Sequence, residues 1–160
     1  AAKLAWEDAI VSHHNNGVLG EIFNAVMVSL AFVEKDVKKV CRMAIDLMPD
    51  DSEYRTVVEY AWKKCEEYGN WRDAWLDCDE KYKHYSWIHA YPNAAAEVVA
   101  LYFCENDYDK LVRFGCGLQR GPGGQCHCRN AGYGMHRRKV DRAHRRLYGH
   151  LCARYGDSAF

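Results

Sequence analysis

The chain changes chemical character near residue 112, and that break limits what can fold. Residues 1–112 carry 12 Lys and Arg against 20 Asp and Glu, a net of −8, whereas residues 113–160 carry 10 against 2, a net of +8. The formal charge of zero therefore describes neither part. Only the first part has the apolar content for a core, small but sufficient for a helical interior. The second is rich in Arg, Gly, His and Cys and poor in aliphatic residues. It offers too little to offset an ordering entropy of roughly 1–2 kcal/mol per residue. The expected organisation is a helical body over 1–112 and a basic tail over 113–160, disordered or read out of frame.

Within the body, apolar residues recur at three and four. Gly20 to Lys35 places Ile22, Val26, Leu30 and Val33 in register, with Phe23, Met27 and Phe32 beside them. Asp36 is placed to cap a helix carrying Val37, Val40, Cys41, Ala44, Ile45 and Met48, which Pro49 stops. Ser52 precedes a run from Tyr54 to Cys65 that Gly69 ends, and Trp71, Ala74, Trp75 and Cys78 make another helix closing near Tyr82. Asn93 is placed to cap Ala94–Phe103, apolar on nearly every side and so the expected central helix. Asp107 begins a last one through Leu111 and Val112. No period-two run of β-branched residues appears. The fold class expected is all-α, a helical bundle.

No apolar run approaches the roughly 20 residues a membrane helix needs. The first residues show no signal peptide, and a start without Met inside a helical pattern suggests that the chain begins mid-protein. Cys41, Cys65, Cys78 and Cys104 are scattered through helices, as buried thiols of a reducing compartment would be, which points to a cytoplasmic location. In the tail, Cys126-His127-Cys128 invites zinc, but one residue between the cysteines is too few for a structural zinc pair. The basic run from Arg137 to Arg146 lacks the apolar stripe and aromatic interleaving of an ordered nucleic-acid surface, so that partner is disfavoured.

Two stretches of the body are candidates for chemistry. Ser12-His13-His14-Asn15-Asn16-Gly17 is a polar turn between two helices, where hydroxyl, imidazoles and helix-start amides suit a phosphate or carboxylate. The alternative is that Ser12 and Asn15 cap, Gly17 turns the chain and the histidines face solvent. Tyr85 to Asn93 is dense in Tyr, Trp and His. It reads either as the wall of a pocket for a planar ring or as a loop anchored by its aromatics over the bundle's end.

Ser12-His13 followed by Asn16-Gly17-Val18-Leu19-Gly20-Glu21 and an Ala/Val/Met-rich helix resembles the ADP-ribosylglycohydrolase family, the ADP-ribosyl-acceptor hydrolases and the related J1 crystallins. The resemblance continues through Met48-Pro49, Trp71-Arg72-Asp73-Ala74-Trp75 and Ile88-His89, then Pro92-Asn93-Ala94-Ala95-Ala96 and Asp107-Tyr108-Asp109-Lys110. It covers nearly all of 1–112 in the family's order and spacing, and only the C-terminal part of the family's domain.

The resemblance implies an all-α fold and magnesium-dependent hydrolysis of ADP-ribosyl linkages, with two ions holding a water and the ribose hydroxyls. Ser12 and His13 match positions lining the family's ADP-ribose pocket, and Gly17 is their neighbour. These three are the candidate ligand-binding residues. The first acidic metal-binding cluster of the family belongs to a segment upstream of Ala1, and its second should follow shortly after Lys110. Residues 115–124 there contain no Asp. No catalytic residue and no metal ligand is therefore carried over, and no magnesium is expected on this chain. One explanation covers both the missing motif and the composition switch: a GC-rich gene read out of frame yields Arg, Gly, Pro, His and Cys codons. The rival is a basic tail acquired for nucleic acid or acidic protein. The expectation is a chain inactive alone that binds ADP-ribose or an ADP-ribosylated acceptor weakly, completed if at all by a missing N-terminal half. The alternative is a non-enzymatic binding or crystallin-like module.

Overall fold

The structure, a computed structural model, describes residues 1–86 and 88–118, with the side chains of 115–118 left out. The described residues form seven helices: α1 (Ala2–Ala9), α2 (Asn16–Leu30), α3 (Val37–Asp46), α4 (Glu53–Tyr68), α5 (Trp71–Tyr82), α6 (Ala90–Phe103) and α7 (Tyr108–Leu118). The fold is all-α, with no strand among the described residues. None of these helices is long and apolar enough to cross a membrane.

Local chemistry accounts for the boundaries. Asp36 accepts from the backbone N–H of Lys38 and Lys39, Ser52 from that of Arg55, and Asn70 from that of Asp73. Each side chain satisfies donors that the first helical turn leaves unpaired. Gly69 ends α4 at φ 63°, a left-handed position that costs a residue without a Cβ little. Asp107 Oδ1 accepts from the Lys110 N–H at 3.0 Å and starts α7.

The sequence misplaces three helix ends. α6 begins at Ala90, not Ala94, and His89 rather than Asn93 sits at its N-cap. Pro92 falls in the first turn, where its missing N–H has no helical acceptor to lose. Asn93 lies inside the helix, its Nδ2 donating back to the His89 carbonyl at 2.8 Å. α2 starts four residues before Gly20 and ends at Leu30, so Phe32 and Val33 continue the apolar period beyond the helix and stand 73% and 80% exposed.

α6 is the central helix, lying against α2, α3, α4, α5 and α7, while α1 leans on α2. Ala94, Ala95, Val98 and Val99 of α6 are buried, and the small residues let α4 and α5 approach closely. Phe23, Ile45, Tyr54 and Val58 fill the centre, and Trp62 and Trp75 are buried at its margins. Trp71 is half-buried against the Phe114 ring, 5.2 Å between centroids. That contact carries α7 past residue 112, so the change in chemical character falls inside this helix.

Polar ties staple the helices outside the core. Arg42 of α3 grips Glu59 of α4 through two nitrogens at 2.9 and 2.6 Å and reaches Asp46 at 2.6 Å. Asp77 of α5 accepts from the hydroxyls of Tyr60 and Tyr68 of α4, and Lys64 Nζ lies 3.3 Å away. Cys41, Cys65, Cys78 and Cys104 are buried, unpaired thiols. Burial pushes all four upward, Cys41 and Cys78 to about 12, so they resist forming reactive thiolates. The expectations for the tail beyond 118, its cysteines and basic run included, lie outside the described residues.

Candidate functional site

The turn singled out in the sequence joins α1 to α2, and its three candidate residues touch. Ser12 Oγ lies 2.8 Å from His13 Nδ1. The His13 imidazole lies over Gly17, where an added Cβ would come within 3.1 Å of His13 Cδ2. Gly17 therefore makes room for the imidazole rather than reversing the chain. The residue with positive φ is Asn15, at φ 48° and ψ −117°, a conformation that costs a side-chain-bearing residue on the order of 1–3 kcal/mol. His13 is 53% exposed at its side chain, with Glu21 Oε2 3.9 Å from Nδ1, and it is not packed into the core.

His13 and His14 border an open groove of about 480 Å³. Trp6 of α1 and Ile10 just after it give it an apolar side, and Asn16 and Ser52 a polar one. Trp6 and Ile10 are about half exposed, which is available surface for a planar group. The start of α2 offers fewer amides than its sequence suggests. Gly17 N–H donates to the His14 carbonyl at 3.1 Å, and those of Val18 and Leu19 to the Asn15 carbonyl at 3.1 and 3.3 Å. The side chains of His13, His14, Asn15 and Asn16 border this groove, and Ser12 is tied to it through its contact with His13.

The second stretch reaches the same end of the bundle. Asn16 Nδ2 donates to Tyr91 Oη at 2.6 Å and to Glu53 Oε2 at 3.2 Å, and the Tyr91 hydroxyl donates to Glu53. The bonds from Tyr91 and Asn16 hold the Glu53 carboxylate below its usual range. Burial and the same carboxylate push the Tyr91 phenol up to about 12, so it stays a donor at neutral pH. The neighbouring rings turn to one another. Tyr85 stacks on His89 at 4.4 Å between centroids and meets Tyr91 edge-on at 5.0 Å. His89 Nδ1 accepts the Tyr91 N–H at 3.3 Å. These contacts are those of a loop anchored by its own aromatics.

Glu53 is the member of this cluster that the sequence did not flag. It stands 37 residues from Asn16 and 38 from Tyr91, with no local pattern to connect them. As for metal, the described residues contain no group of three or more His, Cys, Asp or Glu able to hold an ion. The carboxylates near the turn are engaged, Glu21 beside His13 and Glu53 with Tyr91 and Asn16. The donor set does not fit a pair of magnesium ions.

The sequence model of the family described as ADP-ribosylglycohydrolase matches residues 1–117. The chain belongs to the ADP-ribosylglycohydrolase family. No curated protein and no solved structure matches it. Family membership makes the chain hydrolase-like, and the family match ends within α7, one residue before the helix does.

Proposed function

We propose that the body of this ADP-ribosylglycohydrolase-family chain binds an ADP-ribosyl group weakly at the Ser12–Gly17 turn and does not hydrolyse it alone. The observation that carries this is the exposed His13 imidazole, 2.8 Å from Ser12 Oγ, at the edge of the groove before α2. A hydroxyl and an imidazole are suitable donors to phosphate oxygens, and the Trp6–Ile10 side supplies apolar area for a ring. Gly17 supports the site indirectly, by letting the His13 ring lie close to the backbone.

The resemblance implies two magnesium ions, whose work would be to position a water and the ribose hydroxyls. The described residues supply no ligand set for them, and residues 115–124, where the acidic motif is expected, contain no Asp. These observations support binding without turnover. The four buried, unpaired thiols support a reducing, cytoplasmic setting for this activity.

Incubating the purified chain with an ADP-ribosylated peptide, with magnesium titrated from absent to excess, should release no ADP-ribose. Magnesium-dependent release that disappears in His13→Ala would overturn the reading, because the protein itself would then be the hydrolase.

A further inference from the structure

We propose that Tyr91 is a positioning residue for the Ser12–Gly17 turn, acting through Asn16, so that the state of the Tyr85–Asn93 segment is transmitted to the candidate site. The inference rests on the reading above for its ligand, but its geometry stands apart from the ligand's identity.

The start of α2 lacks the usual means of fixing a helix end. Asn15 occupies its N-cap with positive φ, and its side chain makes no capping hydrogen bond. The next residue is instead tied sideways to two other helices. Asn16 Nδ2 reaches Tyr91 of α6 at 2.6 Å and Glu53 of α4 at 3.2 Å. One phenol oxygen closes this arrangement, accepting from Asn16 while donating to Glu53. Glu53 is exposed, and its carboxylate accepts from both the Tyr91 hydroxyl and Asn16.

Tyr91 suits this task because its ring has little freedom. It is 6% exposed, edge-on to Tyr85 and His89 at 5.0 and 4.7 Å and inclined to Tyr82 at 6.4 Å. A rigid phenol thus sets the position of Asn16, and Asn16 sets the two residues flanking it. On one side is Asn15, whose unfavourable backbone persists only while its surroundings impose it. On the other is Gly17, against which the His13 ring lies. If the phenol oxygen is removed, Asn15 is expected to relax and His13 to lose its fixed seat.

Hydrogen exchange on the full chain separates this role from ordinary packing. Tyr91→Phe keeps the ring and deletes the oxygen. Exchange of the amides of residues 14–19 should quicken about tenfold, while those in the middle of α4 and α6 keep their rates. Glu53→Gln, whose amide oxygen still accepts from the phenol, should stay near the unaltered protein, and Glu53→Ala, which leaves the phenol oxygen accepting from Asn16, should quicken exchange less than Tyr91→Phe. ADP-ribose affinity should fall several-fold in Tyr91→Phe and less in Glu53→Ala. Unchanged exchange at the turn, or equal quickening throughout α2, α4 and α6, would overturn the proposal. If the unaltered protein binds no ADP-ribose, the function reading falls while the exchange pattern still decides this one.

Discussion

Replacing Phe23 by Ala is expected to destabilise the helical body by about 3–5 kcal/mol. Phe23 has no exposed surface and sits 5.7 Å, between ring centroids, from the equally enclosed Tyr54. It is the largest apolar contribution of α2 to the layer shared with α4 and α6. Truncating a buried Phe to Ala typically costs about 3–5 kcal/mol, because the cavity only partly collapses. A body of this size has a total stability on the order of 5–15 kcal/mol. Thermal unfolding followed by circular dichroism should show Tm falling by roughly 15 °C or more. A fall of less than roughly 4 °C would mean that Phe23 is not enclosed as described.

Much of this architecture is legible in the sequence, because the signals that set it are local. Asp36, Ser52 and Gly69 are read directly as punctuation, since capping and left-handed turns act within a few residues. Ala94 to Phe103 is apolar on nearly every side, and it forms most of the helix that touches five others. Where the sequence misleads, a local rule meets a competing one. Pro92-Asn93 resembles a helix start, yet proline is accepted in a first turn already begun at Ala90. Phe32 and Val33 keep the helical period after the helix has ended, because periodicity cannot register where the chain turns away.

The candidate site is legible to a lesser degree. Ser12, His13 and Gly17 are adjacent in sequence, and their contact is a short-range fact. The Asn16–Glu53–Tyr91 cluster joins three helices across the chain, and no spacing rule predicts it. The orphan amides expected at the start of α2 are already spent on the His14 and Asn15 carbonyls, a detail fixed by the unusual φ of Asn15.

The second large effect concerns Glu97, a partly buried carboxyl on the central helix. Burial pushes it up to about 7 from an ordinary 4.5, with the Asn24 side chain opposing the rise. Its charge helps to raise Cys41 of α3 and Tyr54 of α4. A carboxyl whose folded-state value is raised binds its proton more tightly folded than unfolded. Below pH 4.5 both states are protonated and nothing is lost. From there to about 7 folding takes up a proton, so stability declines as pH rises, and above about 7 the full penalty remains. That penalty is about 3 kcal/mol at most, from roughly 1.4 kcal/mol for each tenfold change in proton affinity. Glu97→Gln should therefore stabilise the protein at pH 8 by about 2 kcal/mol, or roughly 10 °C in Tm, and flatten its stability between pH 5 and 7. Denaturant unfolding at pH 5, 6, 7 and 8 checks this. A Gln variant less stable than the parent at pH 8 would show that the ionised carboxylate has a partner that compensates its burial.

The most direct test of the central claim is a calorimetric titration of ADP-ribose into the full chain and into His13→Ala, each without magnesium and with it in excess. The account predicts weak binding that magnesium leaves unchanged, lowered several-fold in His13→Ala while the helical circular dichroism of the two proteins coincides. Binding that is absent from the parent, or equal in parent and variant, would contradict it, and so would a His13→Ala protein that has lost its helices.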